Sequence, residues 1–344
     1  YLFVFAFVLS LLLVPVAKKV ALRIGAVDAP GQRRVHSEPK PLLGGLAIAA
    51  ALVLTIGLHL LALVSFAEHL PASFDTVLQQ RDYLGPALPR LATLVAGALL
   101  MTAVGVLDDL KGEKFSYRLK FATQFVAAGL VAAAGVHTSF LPQVWMNQLL
   151  SVFWIVGITN AFNLLDNMDG QSAGVAAIAA SIFFYICVDQ AQFFNAVLLI
   201  ALIGATLGFL RYNFAPASIF MGDTGSLLLG FLLGSITLVM SYTPEGTVSK
   251  VPVTVIVPLL ILSLPIFDTL SVMVIRWREK RPLFVGDKRH FSHRLVEVGM
   301  SQRGAVVFIY LVTLSIGVGA SFLPYLPGWA VVLVLLQTIA IYTM

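Results

Sequence analysis

Apolar residues fill long blocks at about 1–17, 43–65, 91–107, 117–135, 148–165, 173–188, 193–211, 225–242, 252–275, 304–322 and 327–344, and polar residues concentrate in the stretches between them. As helices, most of these blocks are long enough to cross a hydrocarbon layer of roughly 30 Å. A water-soluble domain would need charged helix faces throughout, and these blocks carry almost none. The pattern predicts an all-α, polytopic integral membrane protein of about eleven transmembrane helices, organised as one membrane-embedded domain over 1–344. Blocks 148–165 and 173–188 lie near the lower length limit, where a tilted, broken or re-entrant helix is an alternative to a straight span. The first block is apolar from its first residue, with neither a basic leader nor a small-residue cleavage site, and reads as a membrane helix rather than a signal peptide.

Composition agrees: 11% of the residues are charged, where a soluble domain has about 25%. A net charge of +5 would suggest nucleic-acid binding in a soluble protein, but here the basic residues are segregated by side. Nineteen of the 22 Lys and Arg fall in 18–42, 108–120, 211–224 and 276–303, and the other three, Arg81, Arg90 and Lys250, fall on the opposite side. By the positive-inside rule the basic side is cytosolic, so the first and last spans run from outside to inside. The partner this charge implies is an anionic bilayer surface, not nucleic acid. The single cysteine, Cys187, lies in the apolar run SIFFYICV, so neither a disulfide framework nor a cysteine metal site is available.

The aspartates change the picture most. Asp108, Asp109, Asp166, Asp169, Asp223 and Asp268 all fall near the ends of apolar blocks on the cytosolic side. A carboxylate there is costly unless it is paired, holds a cation or lines a wet cavity, and several on one face suggest a shared site. Asp108 and Asp109, adjacent after AVGVL, would repel as bare charges. A divalent cation removes the conflict, and hard carboxylate oxygens suit Mg²⁺, with Mn²⁺ as a substitute. The alternative is a solvated helix end with Lys111 as partner.

In NAFNLLDNMDGQSAG, Asn160, Asn163, Asp166 and Asp169 recur every three residues. One continuous helix would put the first and last on opposite sides, so a break is expected near Asn167, with a turn through Met168 and Gly170 folding Asp169 back beside Asp166. The product is a polar rim able to read a nucleobase or ribose, against a simple capped helix end. FMGDTGSLLLG offers glycines for close approach, Thr224 as an N-cap, first-turn N–H groups for a phosphate and Asp223 for its metal, against an ordinary capped turn. The last basic loop crowds Arg289, His290, His293 and Arg294 into DKRHFSHRL, beside Asp287. These groups suit phosphate oxygens, against mere contact with lipid headgroups. Asp268, about two turns before that loop, either lines the site or pairs with a cytosolic arginine.

The stretch DAPGQRRVHSEPKPLLGGLAI, with Asp28, Pro30, Arg33, Arg34, His36, Pro39, Pro41, Gly44 and Gly45, resembles the first cytosolic loop of the polyprenyl-phosphate N-acetylhexosamine-1-phosphate transferases. LDDLKG, NAFNLLDNMDG, FMGDTGSLLLG and DKRHFSHRL resemble that family's later motifs, in order. The resemblance implies transfer of a sugar 1-phosphate from a UDP-amino sugar to a polyprenyl (undecaprenyl) phosphate, with release of UMP and a requirement for Mg²⁺, at the cytosolic face of a prokaryotic plasma membrane. It implies Asp223 as principal metal ligand, and Asp108 and Asp109 at the lipid phosphate, its proton and the metal. It implies Asn163, Asp166 and Asp169 at the nucleotide, with Asn160 on the same rim, and Arg33, His36, His290, His293, Arg289 and Arg294 around the diphosphate or sugar.

The peptidoglycan branch, which uses UDP-MurNAc-pentapeptide, carries three consecutive histidines followed by Phe-Glu. HFSHRL is closer to the branch that starts other surface glycans (lipopolysaccharide, teichoic acid), commonly from UDP-GlcNAc. It departs from that branch at Ser292, where a histidine is usual, so UDP-GalNAc or a modified amino sugar stays open. An ion-coupled transporter is the rival from another class, but transporter carboxylates lie near the midplane between repeated halves, and no repeat is visible here. A lipid-binding scaffold would not need the aspartates. Gly230 and Gly234, four apart, permit close helix contact within the fold or in a homodimer.

Overall fold

The computed structural model describes residues 1–28, 39–65, 81–243, 253–280 and 289–343. All eleven apolar blocks are helical. They form α1 (Leu2–Ile24), α2 (Gly44–Ser65), α3 (Arg81–Lys111), α4 (Tyr117–Ala133), α5 (Val144–Leu165), α6 (Gln171–Asp189), α7 (Phe193–Asn213), α8 (Gly222–Ile236), the pair α9 (Val253–Ile261) and α10 (Ser263–Arg278), α12 (Gln302–Ser321) and α13 (Gly328–Thr343). Between α10 and α12 lies one helix that the apolar pattern did not predict, the short α11 (Phe291–Glu297). Among the described residues, seven of these helices are long and apolar enough to span a membrane alone, and α9 with α10 forms an eighth, bent by 75°. The chain is a multi-pass membrane protein. α4, α8 and α13 are shorter, at 17, 15 and 16 residues.

Helices overrun the apolar blocks where polar ends reach water. α1 continues through Lys18, Lys19 and Arg23 and stops at Gly25, whose φ of 75° is the left-handed turn that glycine takes without strain. The bend between α9 and α10 has a covalent cause. Pro265 has no N–H to give the Ile261 carbonyl, so the helical ladder is interrupted at Leu262. The predicted break near Asn167 is present: α5 ends at Leu165 and α6 begins at Gln171, after Gly170 at φ 78°.

α8 is the hub. All of its residues from Thr224 to Ile236 are buried, and α2, α3 and α5 pack around it. Gly230 and Gly234 serve contact inside the chain: a Cβ on Gly230 would sit 2.7 Å from Thr159 Cα, and one on Gly234 3.3 Å from Ile155 Cα. α1 and α13 instead leave large apolar side chains exposed, among them Leu12, Val16, Trp329 and Leu336, as helices facing lipid do. Cys187 is buried and free.

The chain direction now sets the site. α3 and α5 end, and α2 and α4 begin, close to the first turn of α8. Val27–Asp28 (β1) and Lys40–Pro41 (β2) form a small antiparallel pair. From there the backbone clips onto the FMGD segment through Phe220 N–H to Pro41 O, Gly44 N–H to Phe220 O and Gly45 N–H to Met221 O. A Cβ on Gly45 would lie 2.1 Å from Gly225 N, so only glycine lets α2 start there.

Candidate active site

The structure brings Asp108, Asn163 and Asp223 together around a residue the motifs did not flag, Lys120, with Asp109 beside them at the start of α8. Its ammonium lies 2.9 Å from Asp108 Oδ2, pairs with Asp223 Oδ2 and donates to Asn163 Oδ1 at 3.1 Å. Asn163 Nδ2 in turn donates to Asp223 Oδ1 at 2.8 Å and to Ser226 Oγ at 2.9 Å. Lys120 is thus the counter-ion of two carboxylates from helices far apart in sequence. Its signal was faint: Lys120 and Gln124, four apart on a mostly apolar helix, form a polar stripe.

That stripe corrects one expectation. Asn160 does not face the nucleotide rim. It sits one turn deeper than Asn163, where its Nδ2 donates to Gln124 Oε1 at 2.6 Å and to Val156 O at 2.8 Å. Asn160–Gln124 and Asn163–Lys120 are two rungs joining α4 to α5.

Asp109 points the other way. Its Oδ1 accepts from Asp223 N–H at 2.9 Å, and its Oδ2 accepts from Thr224 N–H at 3.1 Å and from Thr224 Oγ1 at 2.6 Å. The first-turn N–H groups expected to hold a phosphate are therefore held by this carboxylate, which the positive end of the α8 dipole favours. Thr224 is inside α8 rather than its N-cap, which is Met221. Gly222, at φ 69°, is required beside it: a Cβ there would be 2.4 Å from Asp109 Oδ2.

The turn after α5 carries the next group. Asp169 Oδ2 accepts from Ala217 N–H at 2.8 Å, and Gly170 N–H donates to Asn213 Oδ1 at 3.0 Å, fastening the turn to the end of α7 and the loop beyond it. Asp166 caps α5. Its carboxyl is pushed well above the usual range, first because it is withdrawn from water and then by the like charges of Asp223, Asp109 and Asp169. The native state thus holds a proton that the unfolded chain loses near pH ~3.9, and stability falls as pH rises from there through the raised native value. Asp166→Asn has no such proton to lose. In chelator, its unfolding temperature is expected to match the parent's near pH ~4 and to exceed it increasingly toward pH ~8. A difference independent of pH would contradict this.

Asp268 does not line the site, nor does an arginine meet its carboxylate oxygens in the hydrogen bonds described. It is fully buried; Oδ2 is 2.7 Å from His290 Nδ1, and Oδ1 accepts from Phe291 N–H at 2.6 Å, so it holds the start of α11. His290 and His293 have ring centres 6.4 Å apart, Arg289 pairs with Glu279, and Arg294 is exposed. Arg33, His36 and Asp287 lie outside the described residues.

Among the described residues, no three Asp, Glu, His or Cys side chains converge as a closed metal cage. Asp108 and Asp223 do converge on one cation, Lys120. That fits the incomplete protein shell Mg²⁺ uses, one or two carboxylates completed by water and substrate phosphate.

An all-α membrane fold with a carboxylate cluster at one level of its helix ends defines a multi-pass membrane protein with a shared acidic site, and sequence comparison supplies the class. Residues 91–241 match glycosyl transferase family 4. The chain belongs to that family: it is 35% identical over 339 residues to the probable undecaprenyl-phosphate N-acetylglucosaminyl 1-phosphate transferase of Bacillus subtilis, covering 95% of this chain and 86% of that one. It is also 35% identical over 335 residues to the decaprenyl-phosphate N-acetylglucosaminephosphotransferase of Mycolicibacterium smegmatis, covering 88% and 76%. With the undecaprenyl-phosphate alpha-N-acetylglucosaminyl 1-phosphate transferase of Escherichia coli K12 it is 25% identical over 350 residues, covering 95% and 85%.

Proposed function

We propose that this enzyme transfers N-acetylglucosamine 1-phosphate from UDP-GlcNAc to a polyprenyl phosphate in a bacterial membrane, releasing UMP, with its site on the cytosolic face. The names of its relatives support the reaction, and the excess of Lys and Arg on one side supports the orientation. The observation that carries the chemistry is the Asp108–Lys120–Asp223–Asn163 cluster.

By direct transfer, the alternative being a route through a covalent aspartyl phosphate, an oxygen of the prenyl phosphate attacks the sugar-bearing phosphorus of the donor. The new P–O bond forms as the bond from that phosphorus to the bridging oxygen breaks, and the bridging oxygen leaves with UMP. Asp108 would take any proton left on the attacking phosphate. Lys120 would meet the negative charge that grows on the bridging oxygen, and Asn163, bonded to Asp223 Oδ1, would hold that carboxylate in line. Mg²⁺, held by Asp223 with Asp108, would supply neutralisation of the diphosphate.

The test is UMP release by purified protein from UDP-GlcNAc and undecaprenyl phosphate, with Mg²⁺ or chelator, beside UDP-GalNAc and UDP-MurNAc-pentapeptide. Release is expected with UDP-GlcNAc, dependent on lipid and metal, and lost in Asp223→Asn. Turnover retained in Asp223→Asn would refute its role, and preference for another donor would refute the sugar.

A further inference from the structure

The position where HFSHRL departs from its branch, Ser292, is fully buried, and its hydroxyl donates to Asn167 Oδ1 at 2.6 Å across 125 residues of chain. Asn167 is well chosen as the acceptor. It stands in the break between α5 and α6, flanked by Asp166 and Asp169, and its Nδ2 is already committed to Leu164 O at 3.0 Å, which turns Oδ1 toward the serine. Resting on the transferase reading, we propose that Ser292 and Asn167 form a latch that registers the histidine-bearing segment against the acidic turn and so sets affinity for the sugar-nucleotide donor.

The geometry around the latch supports this. α11 is seven residues long, too short to be stable by itself, so external contacts must place it. Asp268 ties its start to α10 by way of His290 and Phe291 N–H, while one face rests on α12. Those contacts hold the segment to the C-terminal helices. The Ser292–Asn167 bond joins it to the turn that carries Asp166 and Asp169. The Arg294 guanidinium and the hydrogen-donating ring of His293 suit an anionic diphosphate, and the acceptors of the turn suit a nucleoside. A ligand spanning both needs the two segments in fixed register, and a small misplacement is costly for such a ligand. Ser292 and Asn167 are positioning residues, because each acts through the other and through what flanks it.

The experiment is a double-mutant cycle with Ser292→Ala and Asn167→Ala, read as separate KM values for the donor and for prenyl phosphate. Each single change is expected to raise donor KM roughly three- to tenfold, the scale of one buried hydrogen bond, with the KM for prenyl phosphate within about twofold of the parent's. The double variant should be no worse than the poorer single, and Ser292→Thr, which keeps the hydroxyl, should restore donor KM. Unchanged donor KM in both singles, multiplying effects in the double, or an equal rise in both KM values would each overturn the latch. Amide hydrogen exchange over residues 290–297 decides it without turnover. Exchange should quicken in Asn167→Ala, and unchanged protection would overturn the proposal even if the parent released UMP from no donor, an outcome that would instead sink the transferase reading.

Discussion

Lys120→Met is expected to lower UMP release by about a hundredfold or more, the scale of removing one preorganised donor from a developing oxyanion. The same change leaves Asp108 and Asp223 facing each other with their shared cation gone. Breaking a fully buried pair costs about 3–5 kcal/mol. Here the side chains keep 14 to 29% of their exposure, so water screens part of the repulsion and about 1–3 kcal/mol is the expected loss. Mg²⁺ without substrate should raise the unfolding temperature of the variant more than that of the parent, because only the variant presents two carboxylates without a counter-ion. Assaying turnover beside thermal unfolding in detergent checks both halves. A variant with parental turnover would remove Lys120 from the chemistry, and one that gains no more from Mg²⁺ than the parent would remove it as the counter-ion of the two carboxylates.

Gly105→Ala is expected to disable the enzyme through packing alone. A Cβ at this position would lie 2.4 Å from Thr224 Cα and N and 2.5 Å from Asp223 O, and these are backbone atoms that cannot rotate aside. The first turn of α8 must therefore back away from α3. That movement carries Asp223 away from Asp108 and pulls the Asp109 carboxylate off the N–H groups it holds. Overpacking of this kind costs about 1–3 kcal/mol. Displacing a reacting group by an ångström costs about a hundredfold in rate, so turnover should fall far more than stability. Gly129→Ala, on α4 with nothing within 4 Å of the added methyl, is the control and should leave both unchanged. Parental turnover in Gly105→Ala would show that α8 does not need this contact to place Asp223.

The same two residues show how much of the site the sequence carried. Asp108 and Asp223 were visible because a carboxylate at the end of an apolar block needs a reason to be there. Lys120 was harder to see, because it stands beside Arg118 at the start of block 117–135, where one more cation reads as loop charge. Asn160 and Asn163 looked alike as members of one three-residue repeat. They were separated only when α4 docked, giving one to Gln124 and the other to Lys120 and Asp223. Asp109 was equivalent to Asp108 in the sequence and became its opposite in the fold, where one carboxylate faces a cation and its neighbour holds a helix start.

By itself the sequence determined the membrane setting, the helical blocks, the break near Asn167 and the gathering of carboxylates at the ends of apolar blocks. These are local consequences of hydrocarbon thickness, charge cost and backbone turn chemistry, and each can be read within one segment. Tertiary structure alone decided which carboxylates share a cation, that Asp268 holds His290 and Phe291 instead of facing the site, and that Ser292 reaches Asn167. Pairings of that kind depend on which helix ends meet around α8, and the glycines that let them meet act through contacts with residues distant in the chain.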